Sequence, residues 1–405
     1  MPAPFHLPSR RGLLQSSAGL FGWAFLPRFA MAAGRDPRLV VIILRGALDG
    51  LSAVAPIGDP DYAGLHGSIA LSLSGTRPAL PLDGFFALNP GMPNFHRMFA
   101  QKQAAIVHAV ATPYRERSHF DGQDVLESGY AGPGHSDSGW LNRALEVLPR
   151  GDRIADPRGL GIGATTPLVI RGRAPVLGWA PEALPNASAD LANRLMGLYQ
   201  HGDPALARAL SEGLGVEKVA SRGVGGGRAQ GGGAPLVMRR AAQGAAKLMA
   251  AADGPRIAAL AFDGWDTHAN EGGASGRLAM LLSGLDGAFE DFRTGLGPAW
   301  GETAIVAITE FGRTARINGT VGTDHGTGTV AFLAGGAIKG GRVIADWPGL
   351  KPASLYQNRD LRATADLRAV LKGLLAAQLG LSEAALGRDV FPDSSAVRPM
   401  RDLIG

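Results

Sequence analysis

The feature that most narrows the possible folds is a set of short, unbroken apolar runs rich in β-branched residues. Arg38–Leu44 (RLVVIIL), Ala104–Val110 (AAIVHAV), Arg256–Phe262 (RIAALAF) and Thr303–Thr309 (TAIVAIT) are of this kind. A fifth, Val330–Leu333, follows the Gly-rich turn GTDHGTG. A strand that is apolar at every position must be covered on both faces, the condition of a parallel sheet sheathed by helices. Helical periodicity over Leu184–Tyr199, Gly276–Leu296 and Ala363–Leu379, with a further helix expected over His119–Ser128, supplies the covering layers. This alternation predicts an α/β fold, an α/β/α sandwich around a mostly parallel, doubly wound sheet.

At 405 residues the chain is long enough for a large core without crosslinks, and it has no cysteine. Thiol nucleophiles, iron–sulfur clusters and thiolate zinc are therefore excluded, and any metal must sit on His, Asp, Glu or backbone oxygen. The formal charge of +5 owes three units to Arg10, Arg11 and Arg28, and the remainder carries 37 basic against 35 acidic residues. So even a balance gives no reason to expect a nucleic-acid partner.

Those three arginines belong to residues 1–32, which read as a twin-arginine signal peptide. Ser9-Arg10-Arg11-Gly12-Leu13-Leu14 precedes a mildly apolar stretch too short to span a membrane, and Ala30-Met31-Ala32 supplies a small-residue cleavage site. The expected partner is the twin-arginine export machinery, and the expected location is periplasmic or secreted. The mature form, 33–405, is expected to be a single domain without a transmembrane segment, with a Gly-rich loop at 221–233.

Three of the apolar runs end directly in acidic loops: Asp49 after the first, Asp263, Asp266 and His268 after the third, Glu310 after the fourth. In open α/β sheets ligands bind outside the carboxyl ends of the strands, so parallel strands would gather these groups at one edge. Carboxylate with imidazole suits a divalent cation such as Zn, Mn or Ca. Asp324 and His325 lie between Gly322 and Gly326, which permits a tight bend presenting both side chains; a capped turn explains the same residues. Ser118 stands where the His119–Ser128 helix should begin, beside Arg117 and His119. A helix N-terminus favours an anion and activates a hydroxyl placed there, yet Ser118 with Asp121 equally resembles a capping box. No G-x-S-x-G, Walker A or H-E-x-x-H sequence occurs, and GLGIGA at 159–164 has the wrong spacing for a dinucleotide fingerprint.

Taken in order, RGALDGLSAVAPIGDPDY, RSHFDGQDVLESG, GWLNRAL, DGWDTHANEG, TEFGRTARINGTVGTDHGTGTVAFLAGG, GGRVIADWPGL and RDLRATADLRAVLKGLL resemble the twin-arginine-exported family called domain of unknown function fifteen-oh-one. That family is itself similar to the alkaline phosphatase and sulfatase superfamily. The resemblance implies an alkaline-phosphatase-like fold in which Asp49, Asp266, His268, Glu310, Asp324 and His325 hold a divalent metal. It also implies Ser118 as nucleophile, with Arg117 and His119 as its catalytic companions. Superfamily hydrolases often carry an Asp-His pair where this chain has Glu310-Phe311, and phenylalanine binds no metal. Two functions follow as expectations: a metal-dependent hydrolase of small anionic phosphate or sulfate esters, or a non-catalytic periplasmic scaffold or binding protein that keeps the fold.

Overall fold

Strand β1, Arg38–Leu44, is buried at all seven positions. Its side chains alternate between two separate cores, Val40, Ile42 and Leu44 facing one and Leu39, Val41 and Ile43 the other. Full burial of each such side chain contributes roughly 1.5–3 kcal/mol, which fixes the strand at the centre of the layered structure. In this computed structural model the described residues are 35–135, 137–148, 159–163, 165–180 and 233–405, with isolated positions between 208 and 216. The expected signal at 1–32, the expected helix Leu184–Tyr199 and the Gly-rich segment up to residue 232 lie outside them.

The other strands are β2 (Val54–Ala55), β3 (Leu80–Pro81), β4 (Ala87–Leu88), β5 (Ala104–Ala111), β6 (Gly159–Ile162), β7 (Val176–Trp179), β8 (Ile257–Phe262), β9 (Thr303–Ile308), β10 (Thr329–Ala334), β11 (Arg342–Ile344) and β12 (Ala365–Asp366). Nine of them form one sheet in the order β11-β5-β10-β9-β1-β8-β6-β7, with β12 added beside β5. β1 pairs in parallel with β8 (Leu39 opposite Ile257) and with β9 (Leu39 opposite Ala304). Only β10 runs against its neighbours β5 and β9. The remaining three short strands make a small separate sheet, β2-β4-β3.

Helices cover both faces. Phe95 and Met98 of Pro93–Ala100, Met238 and Ala242 of Gly233–Ala250, and Leu282 and Phe289 of Arg277–Leu296 pack into the first core. Leu126 of His119–Ser128, Leu141 of Trp140–Val147 and Leu371 of Leu367–Leu379 pack into the second. The expected α/β/α sandwich with a mostly parallel sheet is the one found. Three details differ from the sequence reading. The last long helix begins at Leu367, because Asp366 accepts a hydrogen bond from the Arg368 N–H at 2.8 Å and Ala365–Asp366 pairs with β5 instead. The short strands β6 (GLGI) and β7 (VLGW) and the Ala-rich helix Gly233–Ala250 had no counterpart in it. The antiparallel β10 matters most for the site: the connection 309–328 leaves and re-enters the sheet at the carboxyl edge of β9 and so stays there. No helix among the described residues is long and apolar enough to cross a membrane.

Candidate metal centre

Four carboxyl-edge segments build the site: the loop after β1, the loop from β5 into the helix His119–Ser128, the loop after β8, and the β9–β10 connection. Glycine lets them close on one another. Gly46 has φ +122°, and a Cβ there would lie 2.4 Å from the Asp266 backbone nitrogen. Gly322 and Gly326 permit something other than the tight bend expected of them: neither has a positive φ, and a Cβ would meet the His268 carbonyl at 2.4 Å or the Arg313 carbonyl at 2.3 Å. Close backbone approach, not turn conformation, is what these positions require.

His119, Asp266 and His325 come together with their ligand-capable atoms within 4.8 Å of one another. Asp266 Oδ2 lies 3.4 Å from His119 Nε2, and Oδ1 lies 3.5 Å from His325 Nε2. His268 joins the rim, its Nε2 3.1 Å from Asp266 Oδ1 and 2.9 Å from His325 Nε2. Asp324 does not reach the centre by any hydrogen bond or ion pair among the described residues; its Oδ1 faces His268 Nδ1 at 3.3 Å and accepts from Asn318 Nδ2 at 3.0 Å. Asp263 is exposed.

A surrounding layer orients the rings. Glu310, buried, places Oε1 2.9 Å from His119 Nδ1, and the same oxygen accepts from the Gly46 N–H at 2.8 Å and Gln123 Nε2 at 3.2 Å. Burial raises this carboxyl, but the bonds from His119 and Gly46 outweigh it and hold it below the usual Glu range. In turn the Glu310 hydrogen bond raises His119 against the effect of its own burial. His325 Nδ1 donates to the Arg117 carbonyl at 2.9 Å, while burial and the neighbouring His119 lower its pKa. Each imidazole is thus tied through Nδ1 and turns Nε2 toward Asp266, the arrangement that second-layer partners give to metal-binding histidines. Phe311 stacks on His119 (centroids 5.1 Å, 25°) and packs against His325 at 5.3 Å, so it braces two rings.

Asp266 is anchored by a residue the sequence reading passed over. Arg313, 1% exposed, donates from Nη1 to Asp266 Oδ1 at 2.6 Å and from Nε to Thr323 Oγ1 at 3.1 Å. Burial raises the Asp266 carboxyl, but the Arg313 bond and charge hold it low. Arg313 was visible in TEFGRTAR, three residues after Glu310, yet arginine binds no metal and attracted no attention there.

Asp49 is not one of the three residues that come together. It is 1% exposed, caps the helix Gly50–Ala53 through the Leu51 N–H at 2.9 Å, and faces the fully buried His66 Nε2 at 3.1 Å. No hydrogen bond or ion pair among the described residues joins it to His119, Asp266 or His325. Burial opposes its charge, but His66 holds its pKa low; burial likewise opposes the His66 charge, and Asp49 holds that pKa high. Buried Glu271 is pushed well up by desolvation and by Asp49. Thr323 Oγ1 donates to Glu271 Oε2 at 2.6 Å, so a chain Glu271–Thr323–Arg313–Asp266 links this group to the centre.

Ser118 is the N-cap residue of His119–Ser128, but its side chain makes no capping bond, and Asp121 accepts from the Tyr114 hydroxyl at 3.2 Å. The capping-box alternative is therefore not the arrangement present. Arg117 adopts φ +61°, and its guanidinium is bound to Asp360 Oδ2 at 2.9 and 2.7 Å and to Gln357 Oε1 at 2.6 Å. What it offers the centre is its carbonyl, under His325.

The residues fit a metal. Among the described residues, buried His119 Nε2 makes no hydrogen bond although it faces Asp266 Oδ2 at 3.4 Å, and a buried nitrogen without a hydrogen bond is costly unless something binds it. Two neutral imidazoles and a carboxylate suit zinc, manganese or iron.

A family model described as "Protein of unknown function (DUF1501)" matches residues 36–390. No curated protein matches the sequence at a significant level. Among solved structures, Ps i-CgsB in complex with k-i-k-neocarrahexaose is similar at 12% identity and TM-score 0.42, covering 90% of this chain and 77% of that one. PsFucS1 sulfatase from Pseudoalteromonas sp. is similar at 11% and 0.37, over 83% and 68% of the two chains. The phosphonate monoester hydrolase of Agrobacterium radiobacter is similar at 12% and 0.32, over 76% and 70%.

Proposed function

The chain belongs to the DUF1501 family of proteins of unknown function, matched over residues 36–390, and from that premise we propose that it is an exported, metal-dependent hydrolase of phosphate or sulfate esters. The observation that carries this reading is the meeting of His119, Asp266 and His325 at the carboxyl edge of the sheet, with buried His119 Nε2 making no hydrogen bond among the described residues. A divalent ion held by these three residues would supply Lewis-acid polarisation of the ester. The protein's own part is to hold them: Glu310 and the Arg117 carbonyl fix the two rings, and Arg313 fixes the carboxylate. Ser118 is the nucleophile in this reading, at the first turn of a ten-residue helix whose unpaired N–H groups favour the anionic oxygens of the substrate. Export by the twin-arginine route, read from Arg10-Arg11 and Ala30–Ala32, belongs to the same proposal; periplasmic accumulation that survives R10K/R11K would remove it.

The test is elemental mass spectrometry on untagged protein, followed by a screen of phosphate and sulfate esters with the metal found. Near-stoichiometric metal and metal-dependent turnover are expected, and Ser118→Ala is expected to lower kcat by more than about 10³-fold. Loss of only a few-fold would replace Ser118 by attacking water. A second reading, a metal-holding binding protein without catalysis, is favoured by the engagement of Arg117 with Asp360 and by Phe311 in a ligand's place. Bound metal with no turnover across the screen would select it.

A further inference from the structure

Beside the centre lies a cavity of about 240 Å³ that the mechanism above does not use. Arg316, Arg359 and Asn358 line it, with Leu65 and Leu355 supplying apolar wall and Asp324, whose carboxylate also faces His268 at the rim of the metal centre, on one side. Its charge is unbalanced. Arg316 is exposed, and its guanidinium has no hydrogen bond or ion pair among the described residues. Arg359 makes one loose contact, 3.4 Å to Asp360 Oδ1, and the other oxygen of Asp360 already serves Arg117. The one carboxylate in the wall, Asp324, is held by Asn318 and His268. Arg316 therefore faces the space without a partner among the described residues, while Arg359 is partly balanced by Asp360 and by the charge of Asp324. The turn that places Arg359 is built at a cost: Gln357 and Asn358, adjacent and neither of them glycine, have φ +53° and +55°. Such positions persist only where the surroundings hold them, here the paired backbone bonds between Tyr356 and Asp360 at 2.8 and 3.0 Å.

We propose that this cavity is a leaving-group subsite, taking the alcohol portion of an ester when that portion carries an apolar body and a second negative charge. Arg316 and Arg359 bind the charge, and Leu65 and Leu355 bind the body. The proposal rests on the hydrolase reading and names its substrate class. Asp324 in the cavity wall faces His268 Nδ1 at 3.3 Å, and His268 Nε2 lies 3.1 Å from Asp266 Oδ1, which sets the cavity next to the rim of the centre; the subsite requires that one ligand extend from one to the other.

The experiment compares phenyl phosphate with 4-carboxyphenyl phosphate, and the corresponding sulfates, on the metal-loaded full chain. The carboxylated ester is expected to have a kcat/KM about tenfold higher or more, the size of a charge-assisted hydrogen bond in a half-exposed site. Arg316→Gln, an exposed position, is expected to cut that ratio several-fold, and Arg316→Gln with Arg359→Gln to bring it close to one; Arg316→Lys restores part of it. A wild-type ratio near one, or a ratio that survives the double variant, overturns the proposal. A second measurement needs no turnover: calorimetric binding of 4-hydroxybenzoate against phenol to the full chain. If no ester is hydrolysed but 4-hydroxybenzoate binds through Arg316, the hydrolase reading fails and the anionic pocket stands. If neither probe binds and esters turn over without preference, the pocket fails and the hydrolase reading stands.

Discussion

Two groups of Asp, Glu and His sit at the same edge of the sheet and differ in what they are built to do. Asp49, His66 and Glu271 are closed off, with side chains 1%, 0% and 0% exposed. Their charges answer one another: His66 holds the Asp49 carboxyl low, Asp49 holds the His66 imidazole high, and burial with Asp49 pushes Glu271 toward its neutral form. His119, Asp266 and His325 remain 24%, 40% and 26% exposed, and the His119 nitrogen that faces Asp266 makes no hydrogen bond among the described residues. Carboxylates and imidazoles thus serve as a sealed structural group of three in one place and as an open ligand set in the other. The difference lies in access and in unspent hydrogen-bonding capacity, which are the properties a ligand requires.

The largest expected effect separates the two groups directly. Asp49→Ala leaves His66 buried beside no anion and is expected to cost about 3–5 kcal/mol of stability in urea denaturation while bound metal is kept. The double variant His119→Ala, His325→Ala is expected to do the opposite, with metal falling to background and the denaturation midpoint little changed. Metal lost from a folded Asp49→Ala protein would return Asp49 to the ligand set. Next in size is Glu310→Gln, which removes the charge orienting His119 and is expected to weaken metal affinity about 10–100-fold in a competition titration, with the fold intact. An unchanged affinity would mean that the ring is held by Phe311 alone.

The smallest effect is the pH dependence of stability. Asp49 is held low, so its contribution is present above about pH 4 and is lost as the pH falls. His66 is held high, so its contribution is complete below about pH 6.5 and is lost as the pH rises through the raised value. Glu271, also held high, is neutral in the fold where the unfolded chain would ionise it, so its contribution is lost as the pH rises from about 4.3 through its raised value. The decline is therefore expected to steepen above about pH 6.5, and to be less steep in Asp49→Asn, where His66 loses the anion that raises it and Glu271 keeps only the rise due to burial. In the open group the raised His119 and the lowered His325 act in opposite directions, so Gln at both positions is expected to change the slope less. Equal slopes for all three proteins would dissolve the distinction between the groups.

The strands were legible because β1, β5, β8 and β9 are apolar at nearly every position, a pattern that only a sheet covered on both faces explains. β6 and β7 were not, since GLGI and VLGW are four residues long and half of GLGI is glycine. The reversed direction of β10 could not be read either, because a buried strand looks the same in both directions. At the site, chain position brought Asp266, His268, Glu310 and His325 to one edge but did not say which of them touch.

What the amino-acid sequence determined by itself is the layering of the fold and the edge where its ionisable residues collect, because both follow from local hydrophobic pattern and from strand ends. Only the tertiary structure decided that His119 stands in the centre and Asp49 outside it. That choice rests on single side-chain contacts, Glu310 reaching His119 191 residues away and His66 reaching Asp49 from the end of the helix Tyr62–His66, and on the burial that gives each contact its strength. No periodicity encodes such a contact, because its energy depends on where the surrounding side chains leave water out.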